Sequence, residues 1–172
     1  MHGAPKWQSG DHRQLRRVLA LVALALMATA CGGSSNATKW PDVTVQGIDG
    51  ADIQTASVLD ERPAFVSVWA VWCEPCKKEL PQLQAFAAAH PEYNALTVNL
   101  GDDPDKVREF FDSLNLTLPV MVDSDGRFTS SIKVSGVPST VLVSAEHQIV
   151  NVHKGVVDEG ELADLASRYF DS

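Results

Sequence analysis

Positive charge is scarce in this chain. Against 22 Asp and Glu it carries 14 Lys and Arg in 172 residues, a formal net charge of −8. So acidic a chain has no electrostatic footprint for a polyanion, which argues against nucleic acid as a partner. Long apolar runs are lacking as well. The unbroken stretch Val18–Ala28 (VLALVALALMA) has 11 residues, whereas a bilayer-crossing helix needs about 20 at roughly 1.5 Å of rise each. Cysteine is rare, at three residues. A structural zinc site needs four ligands, usually two CxxC pairs or one pair with histidines. Here there is one pair, and the five histidines are scattered at positions 2, 12, 90, 147 and 153. His147 and His153 fall near one turn and read as surface residues, so no metal site is expected. No internal repeat is present. What remains is 45% apolar and 21% charged residues, the composition of one soluble domain with a single core plus some additional sequence.

The additional sequence lies at the front. Lys6, Arg13, Arg16 and Arg17 precede the apolar run, and small residues follow it in "TAC". A basic region, a short apolar region and small residues before a cut site make a secretory signal. Arg16-Arg17 also suggests a twin-arginine route, but the flanking residues suit ordinary export better. Cys31 stands where cleavage would fall and, with Ala30 before it, resembles the lipidated cysteine of a bacterial lipobox, although Ala28 stands where such boxes usually carry leucine. A lone thiol on an exported protein otherwise needs a partner; the plainer alternative is a signal peptide with an incidental cysteine. Lipid chains on Cys31 would anchor the protein in the bilayer, each buried methylene contributing about 0.8 kcal/mol. The expected organisation is a lipoprotein signal peptide at 1–30, a lipid-anchored flexible tether at 31–41 and a folded domain at 42–172. Removing 1–30 takes away four basic groups and one acid, leaving 10 Lys and Arg against 21 Asp and Glu, a net −11. The expected location is the outer, extracytoplasmic face of a bacterial cell membrane, which permits disulfides.

From Val43 the pattern alternates β-rich runs with amphipathic helices. Val43–Ile48 and Asp52–Ala56 flank Asp49-Gly50, a hairpin signal. Ala64–Ala70 (AFVSVWA) is a continuous apolar strand of the kind buried on both faces. A helix is expected from Glu74 to His90, with Leu80, Leu83 and Ala87 on one face and a kink at Pro81. Ala95–Leu100 is the next strand, and Asp103 caps a helix that has Pro104 at its first position. Val107, Phe110, Phe111 and Leu114 give that helix its core face. A short extended run and the turn 123–126 follow. Val137–Ser144 and Gln148–Lys154 read as paired strands, and a last helix starts at Asp158 with Glu161 completing a cap. The fold class is α/β: a central mixed β-sheet flanked by helices, with an N-terminal β-hairpin extension.

The stretch "VWCEPCKKELP" carries the chemistry. A structural disulfide between Cys73 and Cys76 would stabilise weakly, because the entropy removed grows with loop length. The redox reading has more support. Cys73 falls at a strand-to-helix junction, where unpaired amides and the helix dipole, worth up to ~2 kcal/mol, favour a thiolate. The thiolate is the attacking species in disulfide exchange. Cys76, one turn in, is the more buried sulfur and would close on Cys73 to release the substrate.

"WCEPCKKELP" resembles a thioredoxin-fold active site, including the helix proline at Pro81. "GVPST" resembles the second hallmark of that fold, which implies a cis Val137–Pro138 bond facing the disulfide. It also implies that the Val137 backbone pairs with an incoming peptide, that Pro138 packs against the cysteines, and that Trp72 shields one side and touches the partner. Within the fold, roughly residues 40–170 are similar to the TlpA/ResA group of membrane-anchored thioredoxin-like proteins. The Glu74-Pro75 dipeptide, Glu79 three residues after Cys76, and "DSDGRFTSSIKVSGVPSTVLVSAEHQIV" carry that likeness. Ser67 replaces the buried aspartate of cytoplasmic thioredoxins, so Glu79 either takes over proton movement at Cys76 or is a solvated helix residue. Ile132 stands where relatives carry an aromatic, a change expected to alter the substrate groove.

The resemblance implies an oxidoreductase acting on proteins that carry cysteines or a disulfide. Its redox centre is the cysteine pair, without a cofactor, and a membrane thiol-transfer protein supplies the electrons. It also implies direction, since ResA-like proteins keep apocytochrome c cysteines reduced for cytochrome c maturation. Glu74 and Glu79 agree with a reductant, because anionic neighbours disfavour the thiolate and so the reduced form. A disulfide-forming oxidase of exported proteins is the alternative within this chemistry. A thiol peroxidase, or a non-catalytic module that binds metal or a thiol protein, is the alternative of another class.

Overall fold

The computed structural model describes residues 38–171. The expected signal peptide, Cys31 and most of the expected tether lie outside the described residues. In chain order the strands are β1 (Thr38–Lys39), β2 (Thr44–Gly47), β3 (Asp52–Gln54), β4 (Ala64–Trp69), β5 (Asn94–Asn99), β6 (Val120–Val122), β7 (Ser139–Val143) and β8 (Gln148–Lys154). The helices are α1 (Cys76–Ala89), α2 (Pro104–Ser113), α3 (Arg127–Ser131) and α4 (Glu159–Tyr169). All eight strands form one mixed sheet in the order β1-β8-β7-β4-β5-β6-β2-β3.

The central strand is β4, whose six residues are all buried. It runs parallel to β5 through the α1 crossover and antiparallel to β7. Strand alternation then sorts its side chains. Ala64, Val66 and Val68 join the core on one face with Trp40, Val98, Phe128 and Val141. Phe65 packs on the other with Leu83 and Phe86 of α1 and Leu162 and Leu165 of α4. Trp69 on that same face joins Cys73, Cys76, Leu80, Phe110 and Phe111. The expected hairpin forms: β2 pairs antiparallel with β3, Val45 opposite Ile53, and Gly50 takes the positive φ of 79° that the turn requires. β2 also pairs antiparallel with β6, so the hairpin extends the sheet at its β6 edge.

Caps form where the sequence placed them. Asp103 accepts from Asp105 N, with Pro104 opening α2, and Asp158 accepts from Glu161 N at the start of α4. Two expectations differ from the structure. The tether boundary at 41 is too late, because Thr38 pairs with Ile149 on β8 and Trp40 is buried. The Trp40 ring meets Phe128 edge-on at 5.0 Å, and its Nε1 donates to Thr55 O at 2.9 Å. Ile132 is also a core residue, packed with Trp40 and Phe128, so its substitution is felt beneath the sheet and not in a surface groove.

Candidate active site

β4 delivers the cysteine pair to the edge of the sheet. Past Trp69 the chain turns through residues 70–75, with Cys73 N donating to Ala70 O and Cys76 N to Cys73 O, each at 3.0 Å. α1 then starts at Cys76. The two cysteines are disulfide-bonded, with Cα atoms 5.3 Å apart. Cys76 N also donates to Cys73 Sγ at 3.3 Å. The first-turn amide thus points at the sulfur that would carry charge on reduction, as the junction predicts. Cys73 keeps 3% of its surface and Cys76 none, so only Cys73 offers an incoming sulfur any access.

The surroundings gather the other expected residues. Trp72, next to Cys73, is 70% exposed, an unusual position for a large aromatic and one suited to partner contact. The Val137–Pro138 bond is cis. Pro138 is buried, and Val137, half-buried, packs against the cluster that holds both cysteines. Among the described residues the Val137 amide and carbonyl make no backbone hydrogen bond. Glu74 is exposed and paired with Lys77 at 2.7 Å, and that lysine holds its carboxyl below the usual range. Its charge is therefore largely answered before it can act on the sulfurs.

Glu79 is the finding that the sequence left open. It is fully buried, one turn of α1 beyond Cys76 and facing the sheet. Ser67 Oγ donates to its Oε1 at 2.8 Å, and Val157 N to its Oε2 at 3.3 Å. Thr140, the cross-strand partner of Ser67, faces the same carboxyl without closing a bond of normal geometry. Burial pushes the Glu79 carboxyl above its ordinary value, against the opposing pull of those donors. No Lys, Arg or His among the described residues forms an ion pair with it. A carboxyl in this setting holds its proton more tightly than an exposed one and is placed to exchange it.

One functional feature escaped the sequence: Asp102 reaches the loop that carries the cysteines, accepting from Val71 N at 2.7 Å. The sequence marked Asp103 as the helix cap through Pro104, but no local signal tied its neighbour Asp102 to the cysteine loop. Elsewhere, a cleft of about 320 Å³ lined by Gln46, Asp52, Asp123, Asp125 and Arg127 runs along the β2–β6 edge. It shares no residue with the cysteine site, and two of its three acids are engaged. Asp123 accepts from Phe128 N and Thr129 N, and Asp125 pairs with Arg127. Among the described residues no three His, Cys, Asp or Glu side chains converge as a metal would need.

A model of the Redoxin family matches residues 35–168. Thiol-disulfide oxidoreductase ResA of Bacillus subtilis is 31% identical over 134 residues, spanning 76% of this chain and 73% of that protein. Sporulation thiol-disulfide oxidoreductase A of the same organism is 29% identical over 153 residues, spanning 84% and 92%. Among solved structures, a secreted Mycobacterium tuberculosis disulfide oxidoreductase described as homologous to E. coli DsbE superposes with a TM-score of 0.64. That match is at 26% identity and covers 74% of this chain and 96% of that one. In enzymes of this kind the cysteine pair itself carries the electrons, and no bound cofactor is required. The chain belongs to the Redoxin family and is a thioredoxin-fold, ResA-like thiol–disulfide oxidoreductase.

Proposed function

We propose that this protein reduces disulfides of exported proteins outside the cytoplasmic membrane, held there by lipid on Cys31. The observation that carries the direction is Glu79, a buried carboxyl one turn from Cys76 with no cationic partner among the described residues. When ionised, this carboxylate opposes the thiolates, which withholds stabilisation from the reduced pair and makes it the better electron donor. Lys77 answers Glu74, so Glu79 bears this argument by itself.

The exchange balances as follows. The Cys73 thiolate attacks one sulfur of a substrate disulfide, forming a mixed disulfide and expelling the other substrate sulfur as a thiolate, which takes a proton. Glu79 accepts the proton of the Cys76 thiol. The Cys76 thiolate then attacks Cys73 Sγ, closing the Cys73–Cys76 disulfide and releasing the second substrate thiolate. Two electrons have passed to the substrate, and a membrane dithiol donor returns two. Trp72, Glu74 and Pro75 line the approach, and Val137 offers its free amide and carbonyl to an extended substrate segment beside Pro138. Apocytochrome c fits the substrate class, as a secreted chain whose paired cysteines must stay reduced for haem attachment.

Trapping tests the roles. Cys76→Ser leaves Cys73 to form a mixed disulfide that nothing resolves, so it accumulates covalent adducts with disulfide proteins that dithiothreitol releases. Cys73→Ser forms none. Adducts on both variants, or on neither, would contradict the assignment. The leader and Cys31 are tested apart, by metabolic labelling with a radioactive fatty acid: label on wild type and none on Cys31→Ser is the expected result.

A further inference from the structure

A carboxylate from outside the redox loop ties that loop down. β5 ends at Asn99, the register partner of Trp69, and the chain turns through Leu100, Gly101 and Asp102 toward α2. Asp102 Oδ2 accepts two hydrogen bonds, from Val71 N at 2.7 Å and from Asn99 Nδ2 at 2.8 Å. Asn99 is fully buried, and its Oδ1 in turn accepts from Asp102 N at 2.8 Å. One rigid amide therefore sets both the backbone and the side chain of Asp102.

The surrounding turn has little slack. Gly101 holds a φ of 73°, and a Cβ there would lie 3.4 Å from the carbonyl oxygens of Asp123 and Ser124. Leu100 N donates to Trp69 O at 2.9 Å. The two loops are thus joined on both sides of Ala70, the residue whose carbonyl accepts from Cys73 N. A bond from a carboxylate to a backbone N–H is charge-assisted and about twice as strong as a neutral one. The fold does not need it to close the sheet, because β4–β5 pairing is complete at Trp69. Its effect falls on the segment that follows, two residues ahead of Cys73.

We propose that Asp102 is a positioning residue for thiol–disulfide exchange: clamped by Asn99, it holds the Val71 amide and so fixes the loop that presents Cys73 to the incoming sulfur. In-line attack at sulfur is sensitive to placement, and a misplacement of about 1 Å can cost on the order of a hundredfold in rate. The proposal rests on Cys73 as the attacking sulfur. That reading has its own control, since Cys73→Ser abolishes exchange while leaving the Asp102–Val71 contact untouched.

The test compares Asp102→Ala with Asp102→Asn in the full-length protein, at a temperature where circular dichroism shows wild type and both variants folded. The readout is kcat/KM for reduction of a protein disulfide such as insulin. Asn retains an acceptor oxygen for Val71 N–H, and Ala does not. The expected result is a loss of about ten- to a hundredfold for Asp102→Ala and recovery to within about threefold for Asp102→Asn. A purely structural role would move thermal stability without this rescue. Unchanged kcat/KM in Asp102→Ala, or equal loss in both variants, would overturn the proposal. Hydrogen exchange on the wild type gives a second arm that needs no variant. The Val71 amide is expected to be protected at least about tenfold over the unstructured rate, and exchange at the unstructured rate would overturn the proposal as well.

Discussion

Glu79 is a buried carboxyl with no cationic partner among the described residues, held by one hydroxyl and one amide. Its folded value is raised by desolvation, so the folded protein holds this proton more tightly than the unfolded chain does. The consequence for stability has a definite sign. Below the ordinary carboxylate value, about 4.5, both states are protonated and no penalty exists. As pH climbs from there through the folded value the unfolded chain ionises first, and the fold loses stability relative to it. Glu79→Gln cannot ionise. The Tm of the variant minus that of wild type is therefore expected to grow more positive from about pH 4 to about pH 7, whatever its offset from altered hydrogen bonds. A flat difference across that range would contradict the buried carboxyl. The same variant is expected to slow resolution by Cys76 by about a hundredfold, the lower end of what a positioned base contributes, read by quenched-flow analysis of the mixed disulfide. The sequence showed a glutamate three residues after the second cysteine but not which way it faced. Burial came from the strand register, which sets Ser67 and Thr140 opposite each other on the face that α1 covers.

Among the elements, those with local signals were legible and those fixed by distant packing were not. The α2 cap at Asp103-Pro104, the Asp49-Gly50 turn and the fully apolar β4 each state their structure within a few residues. Asp103→Ala is expected to cost about 1 kcal/mol in urea unfolding, and no measurable loss would contradict the cap. β1 carries no such signal. Its two residues follow a Gly/Ser-rich segment of linker composition, and only the seat of Trp40 against Phe128 and Thr55 makes them part of the sheet. If Trp40 anchors this edge, Trp40→Ala costs about 3–5 kcal/mol, the range for emptying a buried aromatic site. A loss under about 1 kcal/mol would return these residues to the tether. Ile132 shows the same limit from the other side: its position in "IKVSG" suggested the substrate surface, but the short helix α3 turns it into the core.

At the scale of the whole molecule, the sheet separates two kinds of polar chemistry. At one end the cysteine pair, Trp72, the cis Val137–Pro138 bond and Asp102 converge where β4 and β5 finish. At the start of those strands a surface network does structural work. Arg62 pairs with Asp60 at 2.7 Å and donates to Pro91 O, Asn94 bonds both residues, and His147 Nε2 contacts Asp60 O. Hydrogen bonds from Arg62, with help from Asn94, lower the Asp60 carboxyl to about 2. Its contribution is present above the unfolded value of 3.8 and lost as pH falls through about 2. The Tm advantage of wild type over Arg62→Ala should accordingly shrink across that window, and a constant advantage would contradict the pairing. None of this network bears on electron transfer, which rests on the two sulfurs. The most direct measurement is a redox titration of the Cys73–Cys76 pair in the full-length protein against glutathione or dithiothreitol. A reversible two-electron couple at roughly −270 mV or below is the predicted result for a reductant refilled from the membrane. A couple near −120 mV would make the protein a disulfide-forming oxidase and contradict the proposed direction, and the lack of any reversible couple would contradict the redox role itself.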